Sequence, residues 1–194
     1  MNQPAQLLVS TMVDSEITVD RDGINHINVY SKGKTELGRM LSHFDKSPFT
    51  HPYFGPFQSM EGFWYYLKSG APYGHIQDGI EHLRQLHGYK AKQLGKTFQK
   101  HEIPFFKEDI LYANCQKILQ NKKLRELLCL SDLPFTHHYV IEYQDKKTGE
   151  SKNHIIPVKD CDWLVEGLED IRKCLKTKTT PSYWNECKMR YIGL

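Results

Sequence analysis

Twelve residues, Gln58 to Ser69, constrain this chain more than any other stretch, because two chemically distinct faces repeat in them at helical spacing. Met60, Phe63, Trp64 and Leu67 fall at i, i+3, i+4 and i+7, the apolar stripe of a helix packed on a core. Glu61, Tyr65 and Lys68 take the adjoining face at i, i+4 and i+7. Seven residues is nearly two turns, so Glu61 and Lys68 stand roughly 10 Å apart along the axis and point the same way. That is too far for a direct ion pair. It suits an acid and an amine gripping opposite ends of one reacting group. A partly exposed helix flank with ordinary surface charges has the same spacing, so the pair needs support from the rest of the chain.

Composition narrows the class. At 194 residues, 39% hydrophobic and 25% charged, the chain suits one globular domain with a sizeable core. No apolar run approaches the ~20 residues of a membrane span. The N-terminus lacks the basic start and apolar stretch of a secretory signal. Cys115, Cys129, Cys161, Cys174 and Cys187 are odd in number and never spaced C-x-x-C, which reads as reduced thiols of a cytoplasmic protein. The net charge of +3 permits an anionic ligand without announcing a nucleic-acid-binding domain. Ten histidines invite a metal, but His82 and His87 are five apart, and His137 and His138 are adjacent on an expected strand and point to opposite faces. No H-E-x-x-H cluster occurs. Neither a metal nor a cofactor is expected.

Along the chain, residues 1–15 read as a loosely held lead-in. A hairpin is expected from Ile17–Val19, the turn Asp20-Arg21-Asp22-Gly23 and Ile27–Tyr30. Residues 32–57, rich in Gly, Pro, Ser and aromatics, read as a long ordered loop, usually a functional element. The Gln58–Ser69 helix is stopped by Gly70 and Pro72. Ile76, Ile80 and Leu83 predict a second helix ending near Gly88, and Ala91, Leu94 and Phe98 a third. Glu108–Leu130 is helical with a break near Asn121. A hairpin turns at Asp145–Gly149, and Leu164, Leu168, Ile171 and Leu175 predict a last amphipathic helix capped by Asp160 or Asp162. The expected fold is α+β, a single compact domain, mostly helical around a small sheet. It divides into a lead-in with the first hairpin strand (1–26), the domain proper (27–176) and a C-terminal extension (177–194).

Taken in order, these segments resemble the NADAR family, named for its link to NAD and ADP-ribose, which includes the YbiA-like proteins. Ile27-Asn28-Val29-Tyr30-Ser31 is similar to the opening I-x-F-Y strand. Leu41-Ser42-His43-Phe44 resembles L-S-N-F, with His43 where Asn is usual. Pro48-Phe49, Gly55 and Ser59-Met60-Glu61 resemble P-F…G…S-x-E, and Glu61 through Lys68 resembles E-H-Y-F-Q-A-x-K. Ala91 through Lys96 resembles A-x-x-L-G-R, and Lys117 through Leu128 the K-F-x-Q-N-x-x-L-x-x-x-L-L block. Each block is weak alone; six in order across residues 27–175 are fairly specific. The chain departs from the pattern after Val140-Ile141-Glu142, where a hairpin stands in place of the W-G-x-G loop. It departs again at Asp162-Trp163-Leu164-Val165, where N-x-L-G is usual.

The resemblance implies an N-glycosidase-type hydrolase that breaks a ribose C1′–N bond and removes ADP-ribose from guanine in nucleic acid, in an antitoxin or anti-defence role. Two alternatives stay open: an N-ribosidase on small aminopyrimidine intermediates of flavin synthesis, and a module that binds NAD or ADP-ribose without turnover. Glycosidic cleavage needs a proton for the leaving nitrogen and stabilisation of an electron-poor C1′. Glu61 is the expected general acid/base. The dipole at the start of its helix favours the charged form, so desolvation by an aromatic wall must oppose it. Lys68 either holds a phosphate as an ammonium or, as a neutral amine, attacks an opened ribose and forms a Schiff base. Arg39, Ser42 and His43 lie on the long loop with donors suited to pyrophosphate. Ser59, Tyr65, Lys92 and Lys96 join the expected substrate contacts. Phe44, Phe49, Phe57 and Trp64 stack on a base or fill the core. Glu142 assists by resemblance, and Asp162 is a ribose ligand or an N-cap.

Overall fold

The structure, a computed structural model, describes residues 17–191. The first half of the chain forms β1 (Ile27–Asn28), α1 (Glu36–Leu41), β2 (Phe49–His51), β3 (Gly55–Phe57), α2 (Met60–Lys68) and α3 (Gly88–Gly95). The second half forms α4 (Phe106–Gln120), α5 (Lys122–Leu130), β4 (Phe135–Thr136), β5 (His138–Gln144) and β6 (Ser151–Pro157). Two further helices close the order, α6 (Asp162–Thr177) and α7 (Tyr183–Tyr191). The fold is α+β. Its strands form separate two-stranded pieces: β1 with β4 in parallel, β2 with β3 antiparallel, and β5 with β6 antiparallel.

Helix α4 organises the interior because it is buried on two flanks. Ile110 and Ala113 join Phe57, Met60, Phe63 and Leu67 in one apolar cluster. Tyr112, Cys115 and Ile118 join Leu41, Leu124, Leu128 and Ile171 in another. Between α4 and α5 the chain breaks at Asn121, as its sequence suggests, and the Asn121 side chain accepts from the Leu124 amide at 3.1 Å to start the next helix. The β5–β6 hairpin likewise turns at Asp145–Gly149, with Gly149 at φ 70°.

Several expectations fail for local reasons. The hairpin of Ile17–Val19 with Ile27–Tyr30 does not form. Val19–Arg21 is a 3₁₀ turn, and the Asp22 carboxylate gathers the amides of Asn28 (3.0 Å) and Lys34 (2.7 Å). Strand β1 instead donates to the distant Pro134 and Thr136 carbonyls. The loop expected over 32–57 contains α1, which Thr35 caps by accepting from the Gly38 amide, and the β2–β3 hairpin. The second expected helix shrinks to a 3₁₀ stretch, Ile80–Gln85, because Gly79 turns left-handed before it; Ile76 is left exposed. The third ends at Gly95, short of Phe98. Cys161, not Asp160 or Asp162, occupies the cap of α6, and makes no side-chain cap bond. The expected C-terminal extension folds back as α7: Tyr183 and Cys187 are buried, and the Trp184 ring meets Tyr112 at 4.8 Å. The lead-in over 1–15 lies outside the described residues.

Helix α2 is held by close backbone approach. A Cβ on Gly62 would come within 2.3 Å of the Leu83 carbonyl oxygen, and one on Gly95 within 2.1 Å of the Tyr65 ring. The first contact is with backbone and cannot rotate away. Gly62→Ala is therefore expected to destabilise the fold by about 1–3 kcal/mol in urea denaturation, despite the higher helix propensity of alanine.

Candidate active site

The first turn of α2 opens onto a cavity of about 560 Å³. Trp64 and Tyr65 wall it from α2, and Ser42, His43 and Phe44 from the segment after α1. Tyr89 and Lys92 enter from α3, while Tyr30, His137 and Tyr139 close the side nearest the strands. The wall is held together by main chain: the Glu61 amide donates to the His43 carbonyl at 2.9 Å, tying the α1 exit to α2.

Glu61 lines this cavity with only 8% of its surface exposed, and its carboxyl has no hydrogen-bond partner among the described residues. Burial pushes its pKa up to about 7, against the opposing pull of Lys92 first and Lys68 second. Desolvation thus outweighs both the helix dipole and two cations. The carboxyl can give or take a proton near neutrality.

The amine expected opposite it sits elsewhere. Lys68 is not among the cavity-lining residues; its Nζ lies over the Trp64 ring at 4.8 Å and the Phe106 ring at 5.3 Å. Burial and neighbouring Lys100 lower its pKa. The lysine that shares the cavity with Glu61 is Lys92, whose Nζ is 5.4 Å from the Phe44 ring centre.

Other expected residues divide the same way. Ser42, His43, Phe44, Trp64 and Tyr65 meet at the cavity. Arg39 lines a neighbouring cavity of about 410 Å³ that shares Ser31 and Phe44 with the first. Its guanidinium is anchored on the carbonyls of Gly33 (2.9 Å) and Lys34 (2.7 Å). Ser59 is consumed as the α2 cap: its hydroxyl accepts from the Gly62 amide and donates to the Leu86 carbonyl. Lys96 is exposed and does not line the cavity. Nor does Glu142, exposed on β5, where it accepts from the Ser151 hydroxyl. Asp162 is exposed at the start of α6, away from the lining. Phe49 and Phe57 belong to the core.

Beneath the cavity lie polar groups that spacing alone did not single out. Lys117 is fully buried, donates from Nζ to the Ser42 carbonyl at 3.1 Å, and has its pKa pushed down to about 8 by burial. The nearby Asp45 carboxylate favours its charge. His43 accepts at Nε2 from the Asn114 amide at 3.3 Å, which assigns its proton to Nδ1. Burial first, then Lys117 and His137, push the His43 pKa down to about 3, so this ring is neutral at pH 7. Asn114 and Lys117 follow Ile110 at i+4 and i+7, on a buried stripe of α4; polar residues at those positions were the available signal.

Among the described residues no cluster of three or more His, Cys, Asp or Glu side chains is arranged to hold a metal, and no helix is long and apolar enough to cross a membrane. Compared with known protein families, with curated proteins and with solved structures, the chain matches none.

Burial also pushes His51 down to about 3 and His138 to about 4. These depressed histidines favour the fold above their unfolded pKa of about 6.5, and that contribution is lost as pH falls toward 4 and below. Urea midpoints are expected to drop across pH 6.5 to 4. His43→Asn should flatten that slope by at least about 1 kcal/mol; an unchanged slope would show that burial does not hold this imidazole neutral.

Proposed function

We propose that this protein is a hydrolase that cleaves a ribose C1′–N bond, releasing ADP-ribose from guanine in nucleic acid, and that it acts in the cytoplasm. The single observation that carries this reading is the Glu61 carboxyl, desolvated to a pKa of about 7 inside a ring-lined cavity. The cavity falls within the ~300–1,000 Å³ range of small-molecule sites. Trp64, Tyr65 and Phe44 offer faces for a base or ribose, and Lys92 a cation for phosphate. The six motif blocks support the same chemistry by resemblance.

In the proposed step, protonated Glu61 donates to the departing guanine nitrogen as the C1′–N bond breaks. The bonding pair leaves with the nitrogen. Water adds to C1′ and returns its proton to the Glu61 carboxylate, so the acid is restored. This route needs no rearrangement of the site. A Schiff base through Lys68 requires its amine to leave the Trp64 face and enter the cavity, which makes it the second route.

Glu61→Gln is expected to lower kcat by about 10²–10⁴-fold with the fold intact. A carboxyl with a raised folded pKa favours the fold below its unfolded value and costs stability as pH rises through 7. The same variant should therefore be more stable than the parent at pH 8, by up to about 3 kcal/mol. Wild-type kcat/KM should fall above pH 7 as the acid ionises. Lys68→Ala should cost less than Glu61→Gln, and borohydride with substrate should leave no adduct; a Lys68 adduct would replace the direct route with the covalent one. Consumption of a ribosylated aminopyrimidine with no release from ADP-ribosyl-guanine would move the substrate to the small-molecule class. Saturable ADP-ribose binding without product would leave a binding module.

A further inference from the structure

We propose that one face of the β5–β6 ribbon is a binding surface for an extended single strand of nucleic acid, leading its modified base into the Glu61 cavity. This inference rests on the activity proposed above and assigns its substrate as a polynucleotide rather than a free nucleotide.

The ribbon does not serve the core. His138 at its base is the one buried residue among the 14 positions of its two strands. Alternate residues of a strand share a face, and directly paired residues share it too. Tyr139, Ile141 and Tyr143 therefore stand in a row on β5, opposite Ile156, His154 and Lys152 on β6. The three β5 side chains are 40%, 50% and 48% exposed. Glu142, the lone carboxylate within the strands, belongs to the other face. Asp145, just past β5, is held by Lys152. The turn adds the exposed Lys146 and Lys147.

The row begins inside the cavity. Tyr139 lines it, meets the Tyr30 ring edge-on at 5.6 Å, and feels the charge of Glu61. Exposed rings interleaved with cations, continuous with a ring-lined pocket, fit unpaired bases stacking while their phosphates meet lysines. Tyr139 and Tyr143 are about 13 Å apart along the strand. Paired bases rise about 3.4 Å each, so an extended strand with splayed bases matches this spacing and a stacked duplex does not.

Two measurements on the full chain test the assignment: anisotropy of a labelled, unmodified single-stranded oligonucleotide, and turnover of ADP-ribosyl-guanine as mononucleotide and within an oligonucleotide. Tyr143→Ala is expected to weaken strand binding and raise the oligonucleotide KM at least fivefold, with mononucleotide turnover unchanged. Lys152→Ala should lower the salt dependence of strand binding by about one counterion. Equal effects on both substrates, unchanged strand affinity, or tighter binding of duplex than single strand would overturn it. So would a shift in sedimentation that shows the face to be a contact between two copies. If neither substrate is turned over but Tyr143→Ala still weakens strand binding, the surface stands and the proposed hydrolysis fails.

Discussion

Desolvation of the Glu61 carboxyl is the interaction around which the rest of the site is arranged. The residue occupies the first turn of a nine-residue helix with seven buried members, so its neighbours are committed to the core and its side chain has only the cavity to face. A charged carboxylate there keeps the favourable helix dipole and two lysines, yet burial still outweighs them. That balance depends on the helix staying where Ser59, the Leu83 carbonyl and the His43 carbonyl hold it. A small retreat of α2 would admit water and return the carboxyl to its ordinary acidity.

The polar groups under the cavity extend the same logic. Lys117 is an ammonium without surface, anchored on a carbonyl at the end of α1 and steadied by Asp45. Its cost of burial is offset by what it joins: the long helix α4 to the segment that carries His43 and Phe44. Asn114, one turn earlier, fixes the orientation and tautomer of the His43 ring. The cavity wall is thus braced from the central helix, and its rings hold their positions with no ligand present.

Much of the local structure was legible in the residues. The α2 stripe, the break at Asn121 and the Asp145–Gly149 turn each depend on neighbours within a few positions, where periodicity and turn chemistry operate. What stayed hidden depends on distant partners. Strand β1 pairs with residues more than 100 positions away, and nothing near Ile27 signals that choice. Spacing on one helix correctly put Glu61 and Lys68 on neighbouring ground, but it could not say that Trp64 and Phe106 would take up the amine. Nor could it say that Lys92, from another helix, would occupy the place expected for it. Ser59 shows the converse: a residue singled out for ligand contact is spent on capping.

The ribbon contributes almost nothing to the interior, and this separates two kinds of inheritance within one chain. Residues of α2 and α4 are locked to one another by volume and backbone approach, so they can drift only together. The outer strands answer to no such neighbours. A lineage could lengthen, shorten or exchange them while keeping its chemistry intact, and an engineer could graft a different hairpin onto the same base at His138 and Pro157.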